Sequence, residues 1–204
     1  KGKTLPELVE LILETLVSHQ IALRWDIISP TLVRNEQNAM AESGAQMLTY
    51  KHGDVLESGA DVIAHQVNCF GVMGAGLARQ IREKYPHVYE EYHKLCERNS
   101  HHIGMLGVAH WSKIDDSHWI ANLFGQHGYG RGEVYTVMPA LKVALMRTVQ
   151  GCEEWALAEQ RKIRLAIPYK IGCGLAGGNW DEVRAMIEEI AKSTDIEIEI
   201  WRIA

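Results

Sequence analysis

From residue 47 to the end of the chain, short apolar runs alternate with segments whose hydrophobic residues recur at helical spacing. The short runs have the length and composition of strands, and the longer segments carry the apolar stripe of surface helices. The predicted strands are Met47–Lys51, Asp61–Val67, Gly107–Trp111, His118–Leu123, Ile163–Ile167 and Ile196–Arg202. The predicted helices are Leu77–Lys84, His87–Asn99, Val137–Ala156 and Trp180–Lys192. This alternation predicts an α/β sandwich around a mixed, mainly parallel sheet.

The first part of the chain has a different pattern. Thr4–Glu7 has the composition of a helix start with a capping box, and hydrophobic residues at helical spacing follow it. We therefore predict an amphipathic helix over Leu5–Leu23. Residues 1–46 are expected to form an N-terminal helical extension and linker, and residues 47–204 the α/β domain. The extension is a candidate contact for an upstream domain or a partner.

Composition and charge exclude several classes of protein. Hydrophobic residues make up 47% of the chain and charged residues 23%, as in ordinary globular proteins. The formal net charge of −5 disfavours a protein that gains its affinity by neutralising nucleic-acid phosphates. The apolar runs fall well short of the roughly 20 residues that span a bilayer, so we expect no membrane contact and a cytoplasmic location.

The cysteines and histidines indicate neither a disulfide framework nor a metal site. Cys69, Cys96, Cys152 and Cys173 are scattered without a C-x-x-C pair, so we expect four reduced thiols. Of the ten histidines, only the adjacent pair His101-His102 stands out, and neighbouring side chains point in different directions. We predict no metal and no cofactor.

Two glycine-rich loops carry the chemical information. One covers Val67–Ala78 after a predicted strand, and the other covers Ile171–Trp180 after another; both lead into helices. Such loops expose backbone N–H groups beside the positive end of a helix dipole, which suits phosphate groups. Tight connections are the alternative interpretation of either loop alone. If Val62–Val67 and Ile163–Ile167 are both internal strands, the two loops meet at one edge of the sheet and suit a diphosphate joined to two sugars.

These segments resemble a known family. They are similar to the motifs of macro domains, the ADP-ribose-binding modules: Gly53-Asp54-Val55, Asn68, Gly74-Ala75-Gly76-Leu77, Asn122-Leu123-Phe124-Gly125-Gln126, Ile167–Leu175 and the loop Ile171–Trp180. The similarity is greatest to the branch that contains ADP-ribose-1″-phosphate phosphatases and terminal ADP-ribose protein glycohydrolases. It implies a three-layer α/β/α macro-domain sandwich over residues 47–204.

The resemblance also implies a ligand site. Asp54, helped by the Val55 backbone, would accept a hydrogen bond from the adenine amine, and Trp201 would lie against the adenine. Asn68 would contact the distal ribose. The loop residues implied to bind the distal ribose and phosphates are Gly74, Ala75, Gly76, Leu77, Gly125, Gln126, Cys173, Gly174, Leu175, Ala176 and Gly177.

The chain departs from the glycohydrolase pattern at two positions. Gln126 stands where those enzymes have a nucleophilic lysine, and Ala176 stands where they have an acid/base aspartate. Neither side chain can perform those steps, so a covalent lysine intermediate is not expected. Asn68 and His127 are the remaining catalytic candidates, Asn68 to orient a water and His127 as a general acid or base, the role that histidine fills most often in enzymes. Arg131 is a candidate to pair with a terminal phosphate.

Three functions agree with these observations. The first is hydrolysis of an ADP-ribose derivative, either ADP-ribose-1″-phosphate or an ADP-ribosylated acceptor; nucleic acid is expected only as such an acceptor. The second is a non-catalytic ADP-ribose reader, which Gln126 and Ala176 favour. The third is an NAD-related or other nucleotide enzyme with similar loops.

Overall fold

The computed structural model describes residues 48–203. The helix predicted over Leu5–Leu23 and the boundary predicted after residue 46 lie outside the described residues.

Six strands form one sheet in the described part of the chain. They are β1 (Leu48–His52), β2 (Val62–Asn68), β3 (Ala109–Lys113), β4 (Trp119–Gln126), β5 (Arg164–Pro168) and β6 (Glu197–Arg202). Their order across the sheet is β1-β6-β5-β2-β4-β3. Every neighbouring pair is parallel except β3 with β4. This confirms the mixed, mainly parallel sheet, with both β2 and β5 as internal strands.

Four α-helices connect the strands, at the places where helical spacing predicted them. They are α1 (Gly76–Lys84), α2 (Pro86–Arg98), α3 (Met138–Glu159) and α4 (Trp180–Ala191). Pro86 and Pro139 occupy first-turn positions, where a missing N–H costs no hydrogen bond. Asn179 caps α4 by accepting a hydrogen bond from the Asp181 N–H. Two short 3-10 helices cover Val55–Glu57 and His102–Met105.

The helices lie on both faces of the sheet because successive strand residues point to opposite sides. Val62 and Ala64 of β2 belong to a core cluster that also contains residues of α3 and α4. Ile63, between them in the chain, belongs to a second cluster with Ile81 of α1 and Val88 of α2. Strand β2 is therefore buried on both faces, as central strands of parallel sheets are. The three-layer α/β/α arrangement is confirmed.

One end of the sheet brings the two glycine-rich loops together. Strands β4, β2 and β5 are neighbours and run parallel, so their carboxyl ends lie side by side. The loops after β2 and β5 are the two glycine-rich segments. Ligands of open α/β sheets bind at this end of the strands. None of the described helices is both long enough and apolar enough to cross a membrane.

Candidate functional site

A cleft of about 560 Å³ opens at the carboxyl ends of β2 and β5. Its volume lies within the range of small-molecule sites. One wall is formed by the loop after β2 and the start of α1, from Gly74 to Ala78, and the opposite wall by the loop after β5. The predicted ligand residues that line the cleft are Asn68, Gly74, Ala75, Gly76, Leu77, Gln126, Gly174, Leu175 and Ala176. The two glycine-rich loops therefore face one space, as predicted.

The first wall is organised by Asn68, whose side chain is almost fully engaged within the protein. Its Oδ1 accepts hydrogen bonds from the backbone N–H groups of Phe70 (3.0 Å) and Val72 (3.2 Å), and its Nδ2 donates to the Val72 carbonyl (2.6 Å). The hydroxyl of Tyr92 lies 2.7 Å from the Asn68 carbonyl oxygen and 3.0 Å from Oδ1. Burial raises the pKa of Tyr92, so this hydroxyl remains a donor. Asn68 thus shapes the loop, and only one Nδ2 hydrogen is left for a ligand or water.

The same wall ends in an uncapped helix. Ala75, the residue before α1, provides no side-chain hydrogen bond to the first turn, and its backbone is extended. Gly76 has a φ of +55°, which L side chains rarely adopt, and a Cβ built there would meet nothing within 4 Å. The first N–H groups of α1 consequently face the cleft beside the positive end of the helix dipole. This is the arrangement that binds phosphate oxygens.

The second wall is a compact loop that only glycine permits. The carbonyl oxygen of Gly172 accepts hydrogen bonds from the Gly178 N–H (2.9 Å) and the Thr136 hydroxyl (2.6 Å). A Cβ on Gly178 would approach that oxygen to 2.7 Å, and Gly172 itself has a φ of +71°. Side chains at these two positions would open the loop. The backbone is therefore drawn tightly around Gly172, with Gly174–Ala176 on the cleft surface.

Cys173 belongs to this loop, but its side chain is used inside the protein. Its thiol donates to the Ile171 carbonyl at 3.2 Å and packs against the core. Burial raises the pKa of this thiol, and also those of Cys69 and Cys152, so none of them is an activated thiolate. All four cysteines are free thiols. Cys173 is not among the residues that line the cleft, and its N–H donates to the Lys170 carbonyl at 2.9 Å.

A bulge at the end of β4 positions Gln126. In the pairing with β2, Val67 is opposite Phe124 but Asn68 is opposite Gln126, so Gly125 is the extra residue. A bulge re-aims the following side chain, and Gln126 lines the cleft beside Asn68. Its Oε1 accepts a hydrogen bond from Gln66 (2.8 Å), and its Nε2 donates to the Gly128 carbonyl (2.8 Å).

His127 lies next to the cleft and does not line it. Its carbonyl oxygen accepts a hydrogen bond from the Cys69 N–H, and its ring packs edge-on against Phe70 at a centroid distance of 5.1 Å. The same Phe70 ring contacts His102 and Tyr129. Tyr129 and Arg131 do line the cleft. The segment after β4 thus contributes an aromatic ring and a guanidinium to the cleft, whereas the His127 imidazole is outside the cleft lining.

The residues predicted to bind adenine lie together, outside the lining of this cleft. Asp54 accepts a hydrogen bond from the Leu56 N–H at 2.9 Å and so caps the 3-10 helix that contains the buried Val55. A Cβ on Gly53 would approach the Trp201 ring to 3.2 Å, which shows how closely the turn and the indole pack. The Trp201 indole N–H donates to the buried Glu199 carboxylate at 2.8 Å. Gly125, which is buried, and Gly177, which is exposed, are also not among the residues that line the cleft.

Comparison with known proteins identifies the fold. No family model matches the chain. It is 29% identical over 156 residues to a DNA ADP-ribosyl glycohydrolase of Thermus aquaticus, which covers 76% of this chain. It is also 29% identical over 150 residues to an ADP-ribose 1″-phosphate phosphatase of Candida albicans, covering 70% of this chain and 93% of that protein. The solved macrodomain of Mycobacterium tuberculosis DarG superposes with a TM-score of 0.61 at 25% identity, covering 77% of this chain and 98% of that chain. The described residues have the macrodomain fold.

The chain spans about two fifths of the length of the glycohydrolases that it matches, 40% for the Thermus aquaticus protein. It covers nearly the whole of the Candida albicans phosphatase. The match to the macrodomain alone also covers nearly the whole of that solved structure.

The cleft is also lined by residues to which the sequence patterns assigned no role. They include Gln66, Tyr129, Tyr169 and Lys170. Lys170 is one of two non-glycine residues of the described chain with a positive φ, +59°, and such residues are concentrated at functional sites. The sequence feature that could have indicated a role for Lys170 was its position in the turn directly after β5. Among the residues that line the cleft there is no carboxylate, and the described chain holds no group of three potential metal ligands.

Proposed function

We propose that this macrodomain binds ADP-ribose and hydrolyses an ADP-ribose derivative, either ADP-ribose-1″-phosphate or an ADP-ribosylated acceptor, without a covalent lysine intermediate. The observation that carries the proposal is the pair of backbone cradles facing each other across one cleft. The N-terminus of α1 and the Gly172–Ala176 loop supply donors on opposite walls. The named activities of the relatives at 29% identity support the same substrate class.

Different regions of the cleft suit different parts of ADP-ribose. Pyrophosphate suits the two cradles, because backbone N–H groups bind phosphate oxygens without a mobile side chain. Arg131 and Lys170 line the same cleft and supply the positive charge that an anionic ligand needs. The distal ribose would then lie near Asn68 and Gln126. We place the adenine toward Asp54 and Trp201, as the resemblance implies.

The residues of the cleft restrict the chemistry. Gln126 and Ala176 supply neither a nucleophile nor an acid, and no carboxylate lines the cleft. A water molecule is therefore the proposed nucleophile, held by the free Nδ2 hydrogen of Asn68 and by the Gln126 amide. His127 is the proposed proton carrier, and because its ring is outside the cleft lining it must turn toward the cleft to reach the ligand. Lys170 is proposed to bind phosphate rather than to attack the ribose.

The same observations support a second function. A cleft without a carboxylate and with its asparagine engaged in loop structure also suits a reader that holds ADP-ribose without turnover. We therefore retain a non-catalytic reader as the alternative.

The four free thiols agree with the proposed location in the reducing cytoplasm.

A measurement of substrate turnover distinguishes the hydrolase from the non-catalytic reader. Purified protein is incubated with ADP-ribose-1″-phosphate and with ADP-ribosylated protein, and release of phosphate or ADP-ribose is measured beside calorimetric binding of ADP-ribose. The proposal predicts turnover that falls about 10²-fold or more in His127→Ala, because general acid–base assistance is worth that much, while ADP-ribose affinity changes only a few-fold. His101→Ala, at an exposed histidine outside the cleft lining, is the matched control.

Borohydride reduction during turnover tests the lysine. We expect no trapped adduct in wild-type protein and activity in Lys170→Arg. A trapped adduct that Lys170→Arg abolishes would contradict the proposed mechanism. Tight binding of ADP-ribose without turnover of either substrate would establish the reader instead.

A further inference from the structure

Gln66 of β2 is the centre of a hydrogen-bonded chain that joins the segment at the end of β4 to the loop after β5. Its Nε2 donates to Gln126 Oε1 at 2.8 Å and to Thr136 Oγ1 at 2.9 Å. Gln126 Nε2 continues the chain to the Gly128 carbonyl, and the Thr136 hydroxyl continues it to the Gly172 carbonyl at 2.6 Å. One side chain therefore links the end of β4 with the phosphate-facing loop after β5.

The direction of every bond in this chain is fixed by its two ends. A backbone carbonyl can only accept, so the Gly128 carbonyl requires the Gln126 NH₂ group and turns Gln126 Oε1 toward Gln66. The Gly172 carbonyl takes the single hydroxyl hydrogen of Thr136, so Oγ1 must accept. Gln66 satisfies both neighbours only by pointing its NH₂ group at them, and it uses both of its hydrogens.

The side-chain oxygen of Gln66 has an unfavourable environment in this orientation of the amide. Its Oε1 is buried and has no hydrogen-bond partner in the described structure. It lies between two glycines, where a Cβ on Gly125 would come to 2.7 Å and one on Gly172 to 2.6 Å. An unpaired buried acceptor costs free energy. The two hydrogen bonds donated by the Gln66 NH₂ group, to Gln126 and Thr136, offset this cost and hold the two loops in place.

We propose that Gln66 is the positioning residue of this cleft: it holds the Gln126 amide toward the ligand and keeps the Gly172 loop at its distance from the end of β4. The inference rests on the proposed function, since it assigns Gln126 and the Gly172 loop to ligand binding. Held by Gln66 and Gly128, Gln126 keeps one N–H and one lone pair for the distal part of ADP-ribose or for a water. Gln66 acts through these groups rather than through its own contact with the ligand.

Gln66→Met is the test, because methionine keeps the volume of the side chain and removes both donors. We expect ADP-ribose affinity to fall about 10-fold, because the Gln126 amide and the Gly172 loop are no longer held in place before the ligand binds, and AMP affinity to stay within about 2-fold. Thr136→Val breaks the other end of the chain. If the two residues act through one chain, the double variant loses less affinity than the sum of the single losses.

A second measurement needs no ligand. The side-chain NH₂ group of Gln126 gives its own NMR signals, and we expect these to report a rigid amide in wild-type protein and a mobile one in Gln66→Met. Gln160→Met, at an exposed glutamine after α3, should leave them unchanged. Unchanged Gln126 rigidity in Gln66→Met would overturn the inference, whether or not the variant is less stable.

The two failures are distinguishable. If wild-type protein does not bind ADP-ribose, the proposed function fails and the NMR signals alone decide the role of Gln66. If wild-type protein binds ADP-ribose and both Gln66→Met and Thr136→Val bind it equally well, the positioning role fails and the proposed function stands.

Discussion

Three polar side chains lie side by side on neighbouring strands, within the sheet. His65 of β2 is paired with Asn122 of β4, and Asn122 with His110 of β3. His65 Nε2 lies 2.7 Å from Asn122 Oδ1, while His65 Nδ1 is buried without a partner in the described structure. Burial lowers the pKa of His65 to about 4, and it also lowers that of His110. The native protein therefore holds His65 neutral over the whole range in which an unfolded histidine gains a proton.

This burial makes stability depend on pH. Above the unfolded pKa of about 6.5, His65 is neutral in both states and contributes no pH dependence. Between about 6.5 and 4 only the unfolded state binds the proton, so stability falls as the pH falls, by up to about 3 kcal/mol in total. We expect denaturant midpoints to drop across this window in wild-type protein. In His65→Leu the drop should be shallower, whereas His101→Asn should keep it; an equal drop in His65→Leu would contradict the assignment.

At the scale of elements, the loop between β2 and α1 is folded around one side chain. Asn68 connects to two backbone N–H groups, one carbonyl and the Tyr92 hydroxyl. The family resemblance predicts Asn68 as a group that orients water. The structure shows that most of its hydrogen-bonding capacity shapes the loop, so its substitution should affect binding as well as turnover.

Asn68→Ala tests this view of the loop. We expect ADP-ribose affinity to fall at least 10-fold and thermal stability to decrease, because the backbone N–H groups of Phe70 and Val72 lose Asn68 Oδ1 as their acceptor. The control is Asn99→Ala, which removes an amide that donates to the Leu95 carbonyl at the end of α2, away from the cleft. Loss of turnover in Asn68→Ala with unchanged affinity would instead assign Asn68 to catalysis alone.

The positions of the strands and helices could be predicted from the sequence, but the roles of several side chains could not. Hydrophobic spacing located every described strand and α-helix to within a few residues, because burial on one or two faces of the sheet sets that spacing. The glycine loops were predictable because backbone cradles need residues without a Cβ. Nothing in the spacing indicated that Cys173 turns into the core or that Gln66 bridges two loops. Those roles depend on contacts between residues distant in the chain.

At the scale of the whole molecule, the proposed binding depends on two walls acting on one ligand. The cradle at α1 follows β2, and the cradle after β5 begins about a hundred residues later, near Gly172. Parallel pairing of β2 with β5 brings them to the same edge of the sheet. A ligand that spans both walls should gain from each, whereas a mononucleotide can use only part of the cleft.

The most direct test is a calorimetric titration of wild-type protein with ADP-ribose and with AMP. We predict that ADP-ribose binds at least 10-fold more tightly than AMP. In Gly174→Val this advantage should disappear without loss of stability, because a Cβ there has no protein atom within 4 Å and fills only the cleft. Gly104→Val, at an equally open glycine in the 3-10 helix His102–Met105, should bind like wild type. Equal affinities of wild-type protein for ADP-ribose and AMP would contradict binding across the two walls.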